Sequence, residues 1–174
     1  HNYYKIPGGE DKCFEDEVRM LRERGHDVQT LTVHNNMVVT IGKIKLAAQT
    51  IWNRGAASRL RDYVRREQID VVHFHNTFPL LSPAVYSAVR AEGAAVVQML
   101  QNFRLLCPGA FLMRDGKVCE DCLGKTVPWP AIQHGCYRGS AVASAVVTGL
   151  NGTHRVLGTW RNHVDVFLAM THFG

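Results

Sequence analysis

Asp70-Val71-Val72-His73-Phe74-His75-Asn76-Thr77-Phe78-Pro79 is the stretch whose reading decides the fold. It begins β-branched and apolar and ends polar, so Val71 to His75 reads as a buried strand whose tip carries chemistry. A second segment repeats the pattern. Ala95-Val96-Val97-Gln98-Met99-Leu100 is a strand, and Gln101-Asn102-Phe103-Arg104 follows it. Polar groups at the ends of buried parallel strands are where open α/β sheets bind ligands, because strand tips and helix N-termini meet there in one crevice. His73 and His75 alternate along the strand and so point to one face.

Outward from these two segments, helical and strand patterns alternate, as in βαβ units around a parallel sheet. Asp11 to Arg24 carries Phe14, Val18 and Leu21 at helical spacing, acidic residues at its start and Arg22 and Arg24 at its end. That polarity complements the helix dipole, and Gly25 supplies the stop. Val28 to Val33 reads as a strand. Lys43 to Arg66 reads as a broken helix or two, interrupted at Gly55. Ser82-Pro83 opens a helix that Gly93 ends. An apolar helix is expected over about Ser140 to Trp160, then a strand over Val164 to Met170.

The chain has 174 residues, 46% of them hydrophobic, and a net charge of +5. That suits one domain with a sizeable core and argues against disorder. No apolar run reaches the about 18 residues that span a bilayer, and His1-Asn2-Tyr3-Tyr4-Lys5 is not a secretory leader. The basic run Arg54 to Arg66 reads as a solvated helix face; no nucleic-acid reader motif accompanies it.

Gly8-Gly9-Glu10-Asp11 joins a loop to a helix. Glycines let backbone approach a ligand, and the helix N-terminus offers N–H groups to an anion, although such a pair can also be only a turn. Two histidines at the His73–His75 spacing could ligate a metal, but no nearby carboxylate completes a site. Arg104 to Tyr137 is the one long irregular stretch, and such loops are functional or separately tied down. It carries Cys107, Cys119, Cys122 and Cys136. Four thiolates satisfy tetrahedral zinc, with His134 as an alternative fourth ligand. Unpaired thiols in a packed loop are the competing reading, with Phe111, Leu112, Trp129 and Tyr137 then holding it.

Pro7 to Asp11, Asp70 to Pro83, Arg104-Leu105-Leu106-Cys107-Pro108, Cys119-Glu120-Asp121-Cys122-Leu123-Gly124 and Cys136-Tyr137-Arg138-Gly139-Ser140 together closely resemble the N-terminal domain of family 4 glycosyltransferases. The resemblance runs from Asn2 through Phe173. It implies an α/β fold: a Rossmann-like parallel sheet with helices on both faces, the N-terminal half of a GT-B enzyme. Residues 1–174 would form this single acceptor-side domain. His1 to Tyr4 would be leaving a first strand that these residues do not include, and the C-terminal donor-binding domain would lie beyond residue 174. The implied activity is retaining transfer of a sugar from a nucleotide-sugar donor to a glycan or lipid-linked acceptor, without a metal in catalysis; the isolated domain is expected to be inactive.

Carried onto this chain, the resemblance gives catalytic roles to His75 and Gln101. It gives substrate contacts to Gly8, Gly9, Glu10, His73, Asn76, Asn102 and Arg104. Related members carry His where Gln101 stands, and an amide cannot become a cation. A non-catalytic sugar- or nucleotide-binding module is therefore the alternative. The expected location is cytoplasmic, with peripheral contact at the inner face of a membrane.

Overall fold

The computed structural model describes residues 1–170; residues 171–173 of the resemblance lie outside the described residues. The elements run β1 (Asn2–Tyr3), α1 (Gly9–Glu23), β2 (Val33–His34), a 3₁₀ segment (Asn35–Thr40), α2 (Lys43–Ile51), α3 (Arg54–Glu67) and β3 (Val71–Phe74). They continue with α4 (Ala84–Arg90), β4 (Ala95–Leu100), β5 (Met113–Arg114), β6 (Lys117–Val118), α5 (Pro130–Gln133), α6 (Ala141–Val156), α7 (Thr159–His163) and β7 (Val166–Ala169).

β3, β4 and β7 form a parallel sheet with β4 in the middle, and β1 pairs in parallel with β2. Asn2 N–H donates to the Asn76 carbonyl at 2.9 Å, which joins the two sheets in the order β2, β1, β3, β4, β7. Paired residues of parallel strands face the same side. Val72 pairs with Val96 and Phe74 with Gln98, and this side packs on α3 and α4. Leu60, Val64, Phe74, Val85, Tyr86, Val89 and Val96 form the core there. His73 and His75 face the other side, where Phe14 of α1 meets the His75 ring edge-on at 5.4 Å. The chain is thus α/β, with helices on both faces of parallel strands, an arrangement compatible with a Rossmann-like fold.

Several boundaries differ from the sequence reading. Of Val28 to Val33, only Val33 joins a strand. β1 is two residues long, so residues 28–32 have no strand alongside them; the His1 ammonium donates to the Leu31 carbonyl at 2.9 Å and Arg22 to the Val28 carbonyl at 2.7 Å. Asn2 and Tyr3 are themselves paired as β1 rather than leaving a strand. The break expected at Gly55 falls at Trp52 and Asn53, because the Asn53 side chain accepts from Ala56 N–H at 3.0 Å and caps α3. Ser82 stands in the left-handed region, φ 62, so the helix it was expected to open begins at Ala84. Gly25 and Gly93 both have φ 86 and end their helices as read. No helix of the described residues is long and apolar enough to cross a membrane.

Candidate functional site

The crevice lies at the C-terminal tips of β3 and β4. β3 ends in an apolar run and hands over to His75 and Asn76; β4 ends likewise at Gln101 and Asn102. A cavity of about 60 Å³, room for about two waters, is lined by His75, Asn76, Gln98, Gln101, Asn102 and Arg104, with Leu150 and Asn151 of α6. Tyr86 forms its base. Burial pushes the Tyr86 hydroxyl up to about 12, so it stays protonated and donates to the Gln98 side-chain oxygen.

Gln101 is the unusual group. Both its Nε2 and Oε1 are buried without a hydrogen-bond partner. Buried polar atoms are nearly always paired, so an orphaned amide on a residue that lines a cavity marks a candidate place for a ligand's polar group. Asn102 is engaged differently. Its Nδ2 donates to Glu10 Oε1 at 2.7 Å, and its Oδ1 accepts from Arg104 N–H at 2.9 Å. Glu10 Oε2 also accepts from the Tyr4 hydroxyl at 2.8 Å. Burial and the Glu10 charge raise the Tyr4 pKa. The glycine loop and the β4 tip are therefore tied together, although 92 residues separate Glu10 from Asn102.

Gly8 has φ −133, and a Cβ built on Gly8 or Gly9 would meet nothing within 4 Å. Neither crowding nor backbone conformation calls for glycine at these positions. Their effect is to leave open space beside the crevice. Asp11, 3% exposed, holds this loop: its Oδ2 accepts from Gly8 N–H at 3.1 Å and its Oδ1 meets His1 Nε2 at 2.7 Å. One anion-binding donor is thereby already taken by the chain's own carboxylate.

The remaining expected residues have other employment. Asn76 is buried; its Nδ2 donates to the Asn2 carbonyl at 2.9 Å and its Oδ1 accepts from Phe78 N–H at 2.9 Å. It clamps β1 to β3 rather than presenting a free amide. Arg104 lies over the Phe78 ring at 4.5 Å and the Tyr137 ring at 5.3 Å, and donates to the Pro108 carbonyl at 2.9 Å. His75 reaches the cavity only at its edge. Its ring is buried, and its pKa is pushed down to about 3 by burial first, then by the charges of His73 and His1. His75 is therefore neutral at physiological pH. His73 does not line the cavity; it lies under α1, its Nδ1 2.7 Å from Glu17 Oε1. Its pKa is lowered by burial, against the pull of Glu17.

The cysteine loop is anchored by α6 and by Tyr137, whose ring meets Phe78 edge-on at 5.6 Å, rather than by Phe111 and Trp129. Phe111 is 73% exposed and Trp129 56% exposed. Arg155 Nη2 donates to the carbonyls of Leu105 at 2.7 Å and Leu106 at 3.0 Å, and its Nη1 reaches Lys125 O. Asn151 Nδ2 donates to Arg104 O at 2.9 Å, and Thr148 Oγ1 to Pro128 O at 3.3 Å. Cys107 and Cys122 are buried, Cys119 and Cys136 half-buried. Burial, then the charges of neighbouring cysteines, raises the Cys122 and Cys136 thiols. Four-thiolate zinc needs all sulfurs about 2.3 Å from one centre. Among the described residues, the trio of donor atoms lying within 4.8 Å of one another is Cys13, Glu17 and His75, not a set of these sulfurs.

Sequence reasoning missed Asp11 and Glu17. Both sit in the helix read only for its charge polarity, and their partners are remote in sequence. Comparison with protein-family models, with curated proteins and with solved structures finds no match to this chain.

Proposed function

We propose that the chain is the acceptor-side domain of a retaining GT-B glycosyltransferase, and that the crevice at the β3 and β4 tips receives a glycan or lipid-linked sugar. The observation that carries the reading is the buried, unpartnered amide of Gln101, a residue that lines the cavity at the strand tips. A sugar hydroxyl both donates and accepts, and so does an amide. Glu10 and Asn102 add a carboxylate and an amide at the rim, and the open space over Gly8 and Gly9 gives a path for a bulky ligand. The donor nucleotide would lie mostly on a second domain, and developing charge would be met by backbone N–H groups and cations rather than by a metal. A structural zinc on Cys107, Cys119, Cys122 and Cys136 is a separate proposal that rests on four thiols in one long loop.

Gln101 also favours a second reading, a sugar-binding module without catalysis, because an amide cannot supply the cation that related members place there.

Calorimetric titration of the chain with short glycans and polyprenyl-linked sugars tests the site. We expect binding that Gln101→Leu abolishes, while the variant unfolds at the same or a higher urea concentration. The gain would be about 1 kcal/mol, because the orphaned amide is removed. Absence of binding by the unmodified chain, or binding indifferent to Gln101→Leu, would overturn the reading. Nucleotide release from a nucleoside-diphosphate sugar, by a polypeptide that also carries the donor domain, separates transferase from binding module.

A further inference from the structure

His73 and His75 of β3 find in space the carboxylate that the sequence did not place near them. Cys13 and Glu17 are four apart on α1 and share a helical face. The two histidines are two apart on β3 and share a sheet face. α1 lies across that face, so a thiol, a carboxylate and two imidazoles meet. Donor atoms of Cys13, Glu17 and His75 all lie within 4.8 Å of one another. Glu17 Oε2 is 3.3 Å from His75 Nε2, and Glu17 Oε1 is 2.7 Å from His73 Nδ1.

We propose that Cys13, Glu17 and His75 form a binding site for a zinc-class divalent ion, with His73 supporting the carboxylate, and that the ion clips α1 to β3. Thiolate, carboxylate and imidazole are the three donor types zinc takes, and the thiol and imidazole select against magnesium and calcium. Zinc bonds of about 2.0–2.3 Å set tetrahedral edges of about 3.3–3.8 Å. The Glu17–His75 separation already has that length, and the rest of the trio closes by side-chain rotation of about 1 Å. A hydrogen-bonded ligating carboxylate is the usual support in such sites, and His73 supplies that bond.

A further observation favours a ligand here. The side chains of Glu17 and His73 are 17% and 19% exposed and that of His75 is 3% exposed, which gives an ion a solvent-side entrance and a closed rear wall. The site shares no residue with the cysteine loop, and it stands whether or not the crevice binds sugar.

The test titrates chelator-stripped protein with cobalt(II), the spectroscopic stand-in for zinc, and with zinc by calorimetry. The expected result is one equivalent bound, with a single thiolate-to-cobalt charge-transfer band that zinc displaces and a raised thermal midpoint. Cys13→Ser should remove the band. Glu17→Gln should weaken binding about tenfold or more. Should Cys13→Ser fail to fold, Glu17→Gln with a native circular-dichroism spectrum decides alone: tenfold weaker binding supports the site and unchanged affinity overturns it. The proposal is also overturned if the stripped protein binds neither ion at micromolar concentration. It is overturned equally if the signal survives both variants and disappears only when Cys119 and Cys122 are replaced by serine.

Discussion

His154 is fully buried on α6, its ring stacked on Trp52 at 5.2 Å. The Ile51 carbonyl, 2.8 Å from Nε2, can only accept, so Nε2 carries the proton and Nδ1 accepts from Thr159 Oγ1 at 2.8 Å. Both nitrogens are thus satisfied in the neutral form. Burial lowers the His154 pKa, with the Ile51 contact opposing. A base whose folded pKa lies below its unfolded value of about 6.5 binds fewer protons folded than unfolded in that window, so stability falls as pH drops below about 6.5. The slope per group cannot exceed about 1.4 kcal/mol per pH unit. His73 and His75 are shifted the same way, so the experiment compares variants: urea midpoints from pH 7.5 to 5 should fall less steeply for His154→Gln than for the unmodified chain. Asn76 makes a second residue-scale case. Asn76→Ala leaves the Asn2 carbonyl and Phe78 N–H short of partners, and should cost about 1–3 kcal/mol in urea denaturation.

α6 is the element that organises the irregular stretch, residues 104–137. Ser140 starts it as read, its Oγ accepting from Ala143 N–H at 3.2 Å. The apolar stretch explains its burial against α2. The sequence does not say that Thr148, Asn151 and Arg155 turn to the loop and take its carbonyls. A guanidinium carries five donors in a fixed fork, which suits it to three carbonyls at once. Arg155→Met should therefore loosen residues 104–137 while leaving the parallel strands intact. Hydrogen exchange would show faster exchange confined to that loop; uniform protection, or uniform loss, would contradict the anchoring role. β4 illustrates the opposite situation, since Ala95–Leu100 matches the sequence reading at both ends. An apolar run between Gly93 and a polar cluster leaves no other register.

Across the whole molecule, two of the contacts that hold the N-terminal segment to the central strands are Asn2 to Asn76 and Glu10 to Asn102. Both join residues far apart in sequence, so they form only once the parallel strands are assembled. A double-mutant cycle on Glu10→Gln and Asn102→Ala should give a coupling of about 1 kcal/mol in stability, the scale of a partly exposed charge-assisted hydrogen bond. A coupling near zero would mean that the glycine loop and the β4 tip are independent.

The sequence by itself determined the alternation of helices and strands, the positions of β3 and β4, the helix stops at Gly25 and Gly93, and the concentration of polar groups at two strand tips. These follow from local periodicity and backbone preference, which neighbouring residues carry between them. Only the tertiary structure decided which of those polar groups are free. Asn76 looked like a ligand contact, but its amide is taken up by Asn2 and Phe78, and His73 turns one ring nitrogen to Glu17 on α1 rather than to the cavity. Gln101 looked like a weakened residue, yet among the described residues lining the cavity it leaves both of its amide atoms unpaired. A side chain's hydrogen-bonding capacity is written in its chemistry, but whether that capacity is already spent depends on which elements the hydrophobic core brings beside it.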